Sequence, residues 1–346
     1  MKRVLVLLLT TLAIGCSHAP VLVTVKANGV APPIVLSSTP PPSSTVLRAF
    51  VLGDAGREGS IRQTVDAAMR VRLALRRVKT VVLMPGDLFH PTGLGTDCAR
   101  ARERVEAEYV SKFPGVQFYS VAGNHDHGEI ANEARPKLAH RVAYFDCRYH
   151  DLLEDETGWP ASCACVKDWS YLTGPGLAGW ANLGPVALVG YDSQQALVDA
   201  RDVAGAFANA LAAAPKGEPV LVMGHHPFVS FGPHGAGQVR TDGDLKSRAY
   251  QAYLTAVEPI VEKNAPRIAL LLFGHDHMME FVPGHPSELI SGAGAKMTHL
   301  FAKPPAPDFA VDRTPGFAEL DIAQDGSMDV TVFSREPPRT FHIPPR

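Results

Sequence analysis

From Val46 onward the chain repeats one device: a short run of β-branched and other apolar residues breaks into a glycine followed by carboxylate, amide or imidazole side chains. Leu47 to Leu52 runs into Gly53-Asp54-Ala55-Gly56, Thr80 to Met84 into Gly86-Asp87-Leu88-Phe89-His90, and Gln117 to Val121 into Gly123-Asn124-His125-Asp126-His127. Pro219 to Met223 delivers Gly224-His225-His226-Pro227, and Ile268 to Phe273 delivers Gly274-His275-Asp276-His277. Apolar runs of this length bounded by turn residues read as buried strands, as does Val186 to Tyr191. Helical patterns lie between them: Ile61, Val65, Ala68, Leu73 and Leu75, then Leu197 to Ala214 and Ala249 to Val261. Alternation of the two predicts a layered α/β fold. Near the C-terminus Phe317 to Ile322 and Met328 to Phe333 flank Asp325-Gly326, a hairpin signal that adds antiparallel strands, so the sheet is expected to be mixed. With no internal repeat and no second linker, residues 46–346 are expected to form one domain.

Ligands in α/β sheets collect outside the carboxyl ends of the strands. Taken singly, the five loops say little. A Gly-Asp after a strand also serves as a turn or helix cap, and Asn-His-Asp also serves as loop hydrogen bonding. His275 and His277 fall on one side of an extended segment by its two-residue period, which suits metal ligation. Five such loops in order converge on one point, and the histidine distribution agrees. Of 14 histidines, eight (His90, His125, His127, His225, His226, His234, His275 and His277) fall in four short segments.

Charge excludes another class. Lysine plus arginine number 33 against 35 aspartates plus glutamates, a formal net charge of −2, so nothing in the balance attracts nucleic acid, and none is expected as partner. The 46% hydrophobic and 20% charged composition is that of a globular chain.

Residues 1–15 read as an export leader, with Lys2 and Arg3 ahead of the uncharged run Val4 to Ile14, which is too short for the roughly 20 apolar residues of a spanning helix. Ala13-Ile14-Gly15-Cys16 resembles a bacterial lipobox, which would make Cys16 the lipidated first residue of the mature protein, in the periplasm or cell envelope and held to the membrane by its anchor. The Pro-, Ser- and Thr-rich stretch 16–45 is expected to be an extended tether. An oxidising compartment favours disulfides among Cys98, Cys147, Cys163 and Cys165, for which three pairings are open; a zinc site from Cys147, His150, Cys163 and Cys165 is the rival reading.

The loop series resembles the calcineurin-like metallophosphoesterases, and in detail the small tartrate-resistant type of purple acid phosphatase: Asp54-x-Gly56, Gly86-Asp87, Gly123-Asn124-His125-Asp126-His127, Gly224-His225 with His234 nine residues on, and Gly274-His275-Asp276-His277. Leu289-Ile290-Ser291-Gly292-Ala293-Gly294 and the closing Phe317 hairpin fit as well, whereas Arg135 to Ala181 carries little resemblance. The resemblance implies a four-layer α/β/β/α sandwich of two mixed sheets, with two metal ions at one edge. It places Asp54, bridging Asp87, His90 and His277 around one ion, and Asp87, Asn124, His225 and His275 around the other. Two such cations acidify a shared water for in-line attack on a phosphoryl group. Carboxylates offset the cationic charge, imidazoles suit iron, zinc or manganese, and neutral Asn124 adds an oxygen without repelling an anionic substrate. His125 and His234 are implied to be catalytic, as charge stabiliser and proton donor, with Asn124, His125 and His226 facing substrate. The implied reaction is hydrolysis of small phosphomonoesters, with phosphodiesters or a non-catalytic metal-holding lipoprotein as alternatives. One departure stands out: the purple enzymes carry an iron-binding tyrosine where this chain has His90, a neutral ligand that favours divalent ions over ferric iron.

Overall fold

The structure, a computed structural model, describes residues 21–26, 31–75, 78–128, 136–160, 162–235 and 247–346. The expected leader and Cys16 lie outside the described residues. Elements are numbered in chain order. A strand pair, β1 (Leu22–Val25) and β2 (Ile34–Ser37), precedes the body. One seven-stranded sheet contains β3 (Thr45–Val51), β4 (Lys79–Pro85), β5 (Gln117–Val121), β6 (Trp169–Tyr171), β14 (Phe317–Ala323), β15 (Met328–Phe333) and β16 (Arg339–Ile343) in the order β16-β15-β14-β3-β4-β5-β6. The other contains β7 (Ala178–Asn182), β8 (Ala187–Tyr191), β9 (Val220–Met223), β10 (Ile268–Phe273), β11 (Met279–Val282), β12 (Ser287–Ser291) and β13 (Phe309–Val311) in the order β13-β11-β12-β10-β9-β8-β7. Both sheets are mixed: β3 to β6 run parallel and β14 antiparallel to β3, while β8, β9, β10 and β12 run parallel and β7, β11 and β13 antiparallel.

The two-residue period of the strands sorts side chains into layers. Along β3, Leu47, Ala49 and Val51 pack with Leu221, Met223, Leu270 and Leu272 of the facing sheet, whereas Phe50 points outward with Val82 and Met84 onto Val65, Ala68 and Met69 of α1 (Ser60–Leu75). The outer face of the second sheet, Val189, Val220, Val222 and Phe273, meets Val203 and Phe207 of α6 (Ala200–Ala213) and Tyr253 and Val257 of α7 (Arg248–Asn264). Helices therefore lie outside two packed sheets, the α/β/β/α sandwich expected. The remaining helices are α2 (Cys98–Glu108), α3 (Pro136–Ala143), α4 (Glu154–Thr157) and α5 (Ser193–Ala196). The single helix expected from Leu197 begins instead at Ala200, because the Asp199 carboxylate accepts the Asp202 amide and caps it there.

One expectation is corrected. Residues 31–45 are not an extended tether: Ile34 and Leu36 are fully buried against the α1 layer, and the Arg72 guanidinium donates to the carbonyls of Ser37 and Thr39 while making a two-point pair with Glu319 of β14. The prolines flank β2 instead of interrupting it, so an apolar period of two survives and finds a face to cover. The cysteines form disulfides as expected, the interlocked pairs Cys98–Cys163 and Cys147–Cys165, which consume every sulfur of the rival Cys147-His150-Cys163-Cys165 zinc reading.

Candidate metal centre

Because β3, β4 and β5 run parallel in one sheet and β9 and β10 in the other, the five polar loops leave the sandwich at one edge. Gly53 N donates to Ser291 O at 2.8 Å, joining the ends of β3 and β12 across the two sheets, and Gly274 N donates to His225 O at 3.1 Å. The approach is close enough to demand glycine. Gly86 has φ +85°, and a Cβ there would stand 2.5 Å from the His225 ring; a Cβ on Gly123 would stand 2.2 Å from Asp87 Oδ1. Asp54, Asp87 and His275 themselves adopt φ values of 51°, 54° and 69°, a region that costs non-glycine residues of order 1–3 kcal/mol and collects at functional sites.

Three adjacent groups result, two of them sharing Asp87. Asp54, Asp87 and His277 form one, Asp87, His90 and His125 a second, and His225, His226 and His275 a third, each with donor atoms within 4.8 Å of one another. Asn124 Oδ1 lies 3.0 Å from His225 Nε2 and 3.2 Å from His275 Nδ1, and Asp87 Oδ1 lies 3.4 Å from His225 Nε2, so Asp87 touches all three groups. Every residue expected as a ligand is thus brought to one place. His234 joins none of these groups but lies over them, its ring centroid 4.5 Å from that of His275. His127 does not reach the site; it is buried and paired with Asp192 at 2.8 Å.

The donors are aimed by what stands behind them. His225 Nδ1 lies 2.8 Å from the Pro85 carbonyl, which can only accept, so the Nδ1 proton points away and the Nε2 lone pair faces Asp87 and Asn124. His226 is the opposite tautomer. The Ser193 hydroxyl oxygen accepts the amides of His225 and His226, each at 3.0 Å, so its own proton goes to His226 Nδ1 at 2.8 Å and the neutral ring carries its proton on Nε2. That leaves His226 a donor and unsuited to ligation, despite its place in the third group.

Two aspartates act as clamps. Asp126 accepts Leu88 N, Phe89 N and Gly123 N at 2.9–3.2 Å, tying the β4 loop to the β5 loop. Asp276 accepts His234 N at 3.1 Å, Gly235 N at 2.8 Å and the Ser230 hydroxyl, holding the loop that carries His234.

The site fits a pair of cations. Asp54 Oδ1 and His90 Nε2 are buried without any hydrogen-bond partner; His277 Nε2 stands 3.4 Å from the first and Asp87 Oδ2 3.8 Å from the second. Donors about 2.0–2.2 Å from a common ion stand roughly 3.0–3.5 Å apart, a range that holds the Asp54–His277 spacing and suits shared ligation better than hydrogen bonding. Burial lowers His277 to about 3 and His90 to about 4, which leaves both imidazole lone pairs available at neutral pH. Burial pushes the Asp54 carboxyl well above the usual range, whereas for Asp87 the imidazoles of His225, His125 and His90 outweigh burial and hold it below.

An aspartate, asparagine and histidine cluster at the carboxyl edge of a two-sheet α/β sandwich defines a metallophosphoesterase. The chain belongs to the calcineurin-like phosphoesterase family, whose model matches residues 10–279, and is therefore a phosphoesterase dependent on divalent metal. Within that family it stands near the purple acid phosphatases. It is 25% identical to purple acid phosphatase 7 of Arabidopsis thaliana over 256 residues, 72% of this chain and 70% of the relative, and 26% identical to purple acid phosphatase 17 over 261 residues, 71% and 68%. The fold is shared with a purple acid phosphatase from yellow lupin seeds, at a TM-score of 0.56 and 14% identity, covering 90% of this chain and 56% of that one. It is shared equally with GAP50, the anchor in the inner membrane complex of Plasmodium, at 0.57 and 15%, covering 87% and 89%.

Proposed function

We propose that the protein is an exported binuclear phosphomonoesterase. The observation that carries this reading is the sharing of Asp87 between two donor groups and its approach to the third, beside buried Asp54 Oδ1 and His90 Nε2 that have no hydrogen-bond partner. Asp54, Asp87, His90 and His277 would hold one ion and Asp87, Asn124, His225 and His275 the other, the imidazole-rich set suiting iron, manganese or zinc. When bound, two divalent ions polarise phosphoryl oxygens and acidify water. The residues of the chain supply the rest. His125, with Nδ1 donating to the Pro91 carbonyl at 2.6 Å, is fixed beside Asp87, where its ring, when Nε2 is protonated as well, would steady the anionic phosphoryl group. The oxygen of water forms the new bond to phosphorus as the ester P–O bond breaks. His234, aimed by Asp276, gives its proton to the departing oxygen and is reprotonated by the proton that water releases. His226 Nε2–H adds a donor from the second sheet.

The two disulfides support export to an oxidising compartment, and no described helix is long and apolar enough to cross a membrane. Attachment through an acylated Cys16 completes the reading. Comparing p-nitrophenyl phosphate with bis-p-nitrophenyl phosphate on the metal-loaded protein tests it: the monoester is expected to turn over faster. A preference for the diester would make the enzyme a phosphodiesterase, and no turnover of either with both ions bound would leave a metal-holding binding protein.

A further inference from the structure

The loop that carries His234 is held by three buried acidic side chains of the second sheet and its β10 loop. Glu288 of β12 accepts Phe228 N and Val229 N at 3.0 and 3.1 Å, Glu280 of β11 accepts Phe231 N at 3.1 Å, and Asp276 accepts His234 N and Gly235 N. Between Glu280 and Asp276 stands the Ser230 hydroxyl. Its oxygen lies 2.9 Å from Glu280 Oε1, is bonded to Asp276 Oδ2 and accepts Gly232 N at 3.1 Å. The set is closed to solvent, Glu280 and Asp276 having no exposed surface.

Counting protons assigns the state of this set. A hydroxyl has one proton to give, so Ser230 cannot donate to two carboxylates, and one of the two carboxyl groups must bring a proton of its own. Asp276 has two amides to accept and Glu280 one, which puts the proton on Glu280. Burial and the charge of Asp276 agree: they hold the Glu280 carboxyl well above the usual range against the pull of Phe231 N and Ser230. Glu288 acts in the same sense, whereas Ile290 and Ala310, paired with Glu280 on either side, carry no charge. With Glu280 Oε1 donating to Ser230 and Ser230 donating to Asp276, each donor of the set has an acceptor and the serine oxygen is filled. We propose that Glu280 is a positioning residue of the reaction: as a neutral carboxylic acid it sets, through the Ser230 hydroxyl and Asp276, the loop that holds His234 over the metal centre.

This rests on the reading of His234 as proton donor, and the test separates the two. The metal-loaded full chain is compared as wild type, Glu280→Gln, Glu280→Ala and Ser230→Ala, with kcat and KM measured on glycerol phosphate, a poor leaving group, and on p-nitrophenyl phosphate, a good one. Glutamine offers N–H to Ser230 and C=O to Phe231 N, so Glu280→Gln should keep kcat on both esters within about twofold. Glu280→Ala and Ser230→Ala let the loop shift and should lower kcat on glycerol phosphate about 10–100-fold, on p-nitrophenyl phosphate about threefold or less, with metal content unchanged. Infrared spectra at neutral pH should show the carbonyl stretch of a protonated carboxyl group in the wild type and a weaker one in Glu280→Gln. An undiminished acid band in Glu280→Gln, or equal losses on the two esters in the alanine variants, overturns the proposal; should those variants not fold, the band alone decides. If His234→Ala slows both esters equally, the proton-donor reading of His234 fails instead, while the infrared band and amide hydrogen exchange at Phe231 and His234, expected to quicken in Ser230→Ala and not in Glu280→Gln, still judge Glu280.

Discussion

Replacing Asp126 by alanine strands three buried amides at once, those of Leu88, Phe89 and Gly123, which its carboxylate accepts at 2.9–3.2 Å. Each buried donor left without an acceptor costs about 1–3 kcal/mol, so even with partial relaxation the loss should be about 4 kcal/mol, a large part of the roughly 5–15 kcal/mol of a typical domain. Asp126→Asn keeps one acceptor oxygen but turns an NH2 toward one of the amides, and should lose about 1–3 kcal/mol. The same bonds hold the loop that presents Asp87 and His90, so loosening them should weaken metal affinity about 10–100-fold in the alanine variant. Urea unfolding of the metal-free proteins, followed by metal titration of each, reads both effects. An alanine variant within about 1 kcal/mol of wild type, with unchanged metal affinity, would refute the clamp.

Three further outcomes follow from particular residues. The Cys98–Cys163 bond closes a separation of 65 residues, so replacing both cysteines by serine should lower stability by about 4 kcal/mol on the chain-entropy estimate; a loss below about 1 kcal/mol in urea unfolding would argue against that pairing. Glu288 is buried, and burial raises its carboxyl from 4.5 to about 8 against the pull of the Val229 and Phe228 amides. The folded state therefore holds a proton that the unfolded state releases, and stability should fall as pH rises from about 4.5 through 8; Glu288→Gln, which keeps an acceptor oxygen for those amides, should remove that part of the slope in melts across this range. His90→Tyr loaded with ferric iron should gain a visible tyrosinate band absent from the wild type, since the side chain at this position stands beside Asp87; a colourless iron-loaded variant would place His90 away from the metal.

The strands that carry the site were legible because each is mostly apolar and runs abruptly into a glycine and polar residues, a pattern that suits a sheet buried on both faces and open at one edge. The helix starting at Ala200 was misplaced because an apolar pattern does not show that Asp199 caps a new helix. The β1–β2 pair was missed because proline content dominates the reading of residues 16–45, while what decides the outcome is Ile34 and Leu36 finding α1 and Arg72, partners distant in sequence. The ligand types were legible from the motifs, but their aim was not. The tautomers of His225 and His226 depend on the Pro85 carbonyl and the Ser193 hydroxyl, contacts made only by folding. The disulfide pairing was likewise closed to sequence, since three pairings satisfy the same count and only the packing of α2 near residue 163 selects one.

The central claim is that Asp87 is shared by two ions in one site. Elemental analysis of the purified full chain, wild type and Asp87→Asn, tests it directly, with activity on p-nitrophenyl phosphate measured on the same samples. Two ions per chain in the active wild type, with occupancy of both lowered together in Asp87→Asn, is the predicted result. A fully active protein holding one ion or none, or an Asp87→Asn variant that loses one ion and keeps the other at wild-type affinity, would contradict the account.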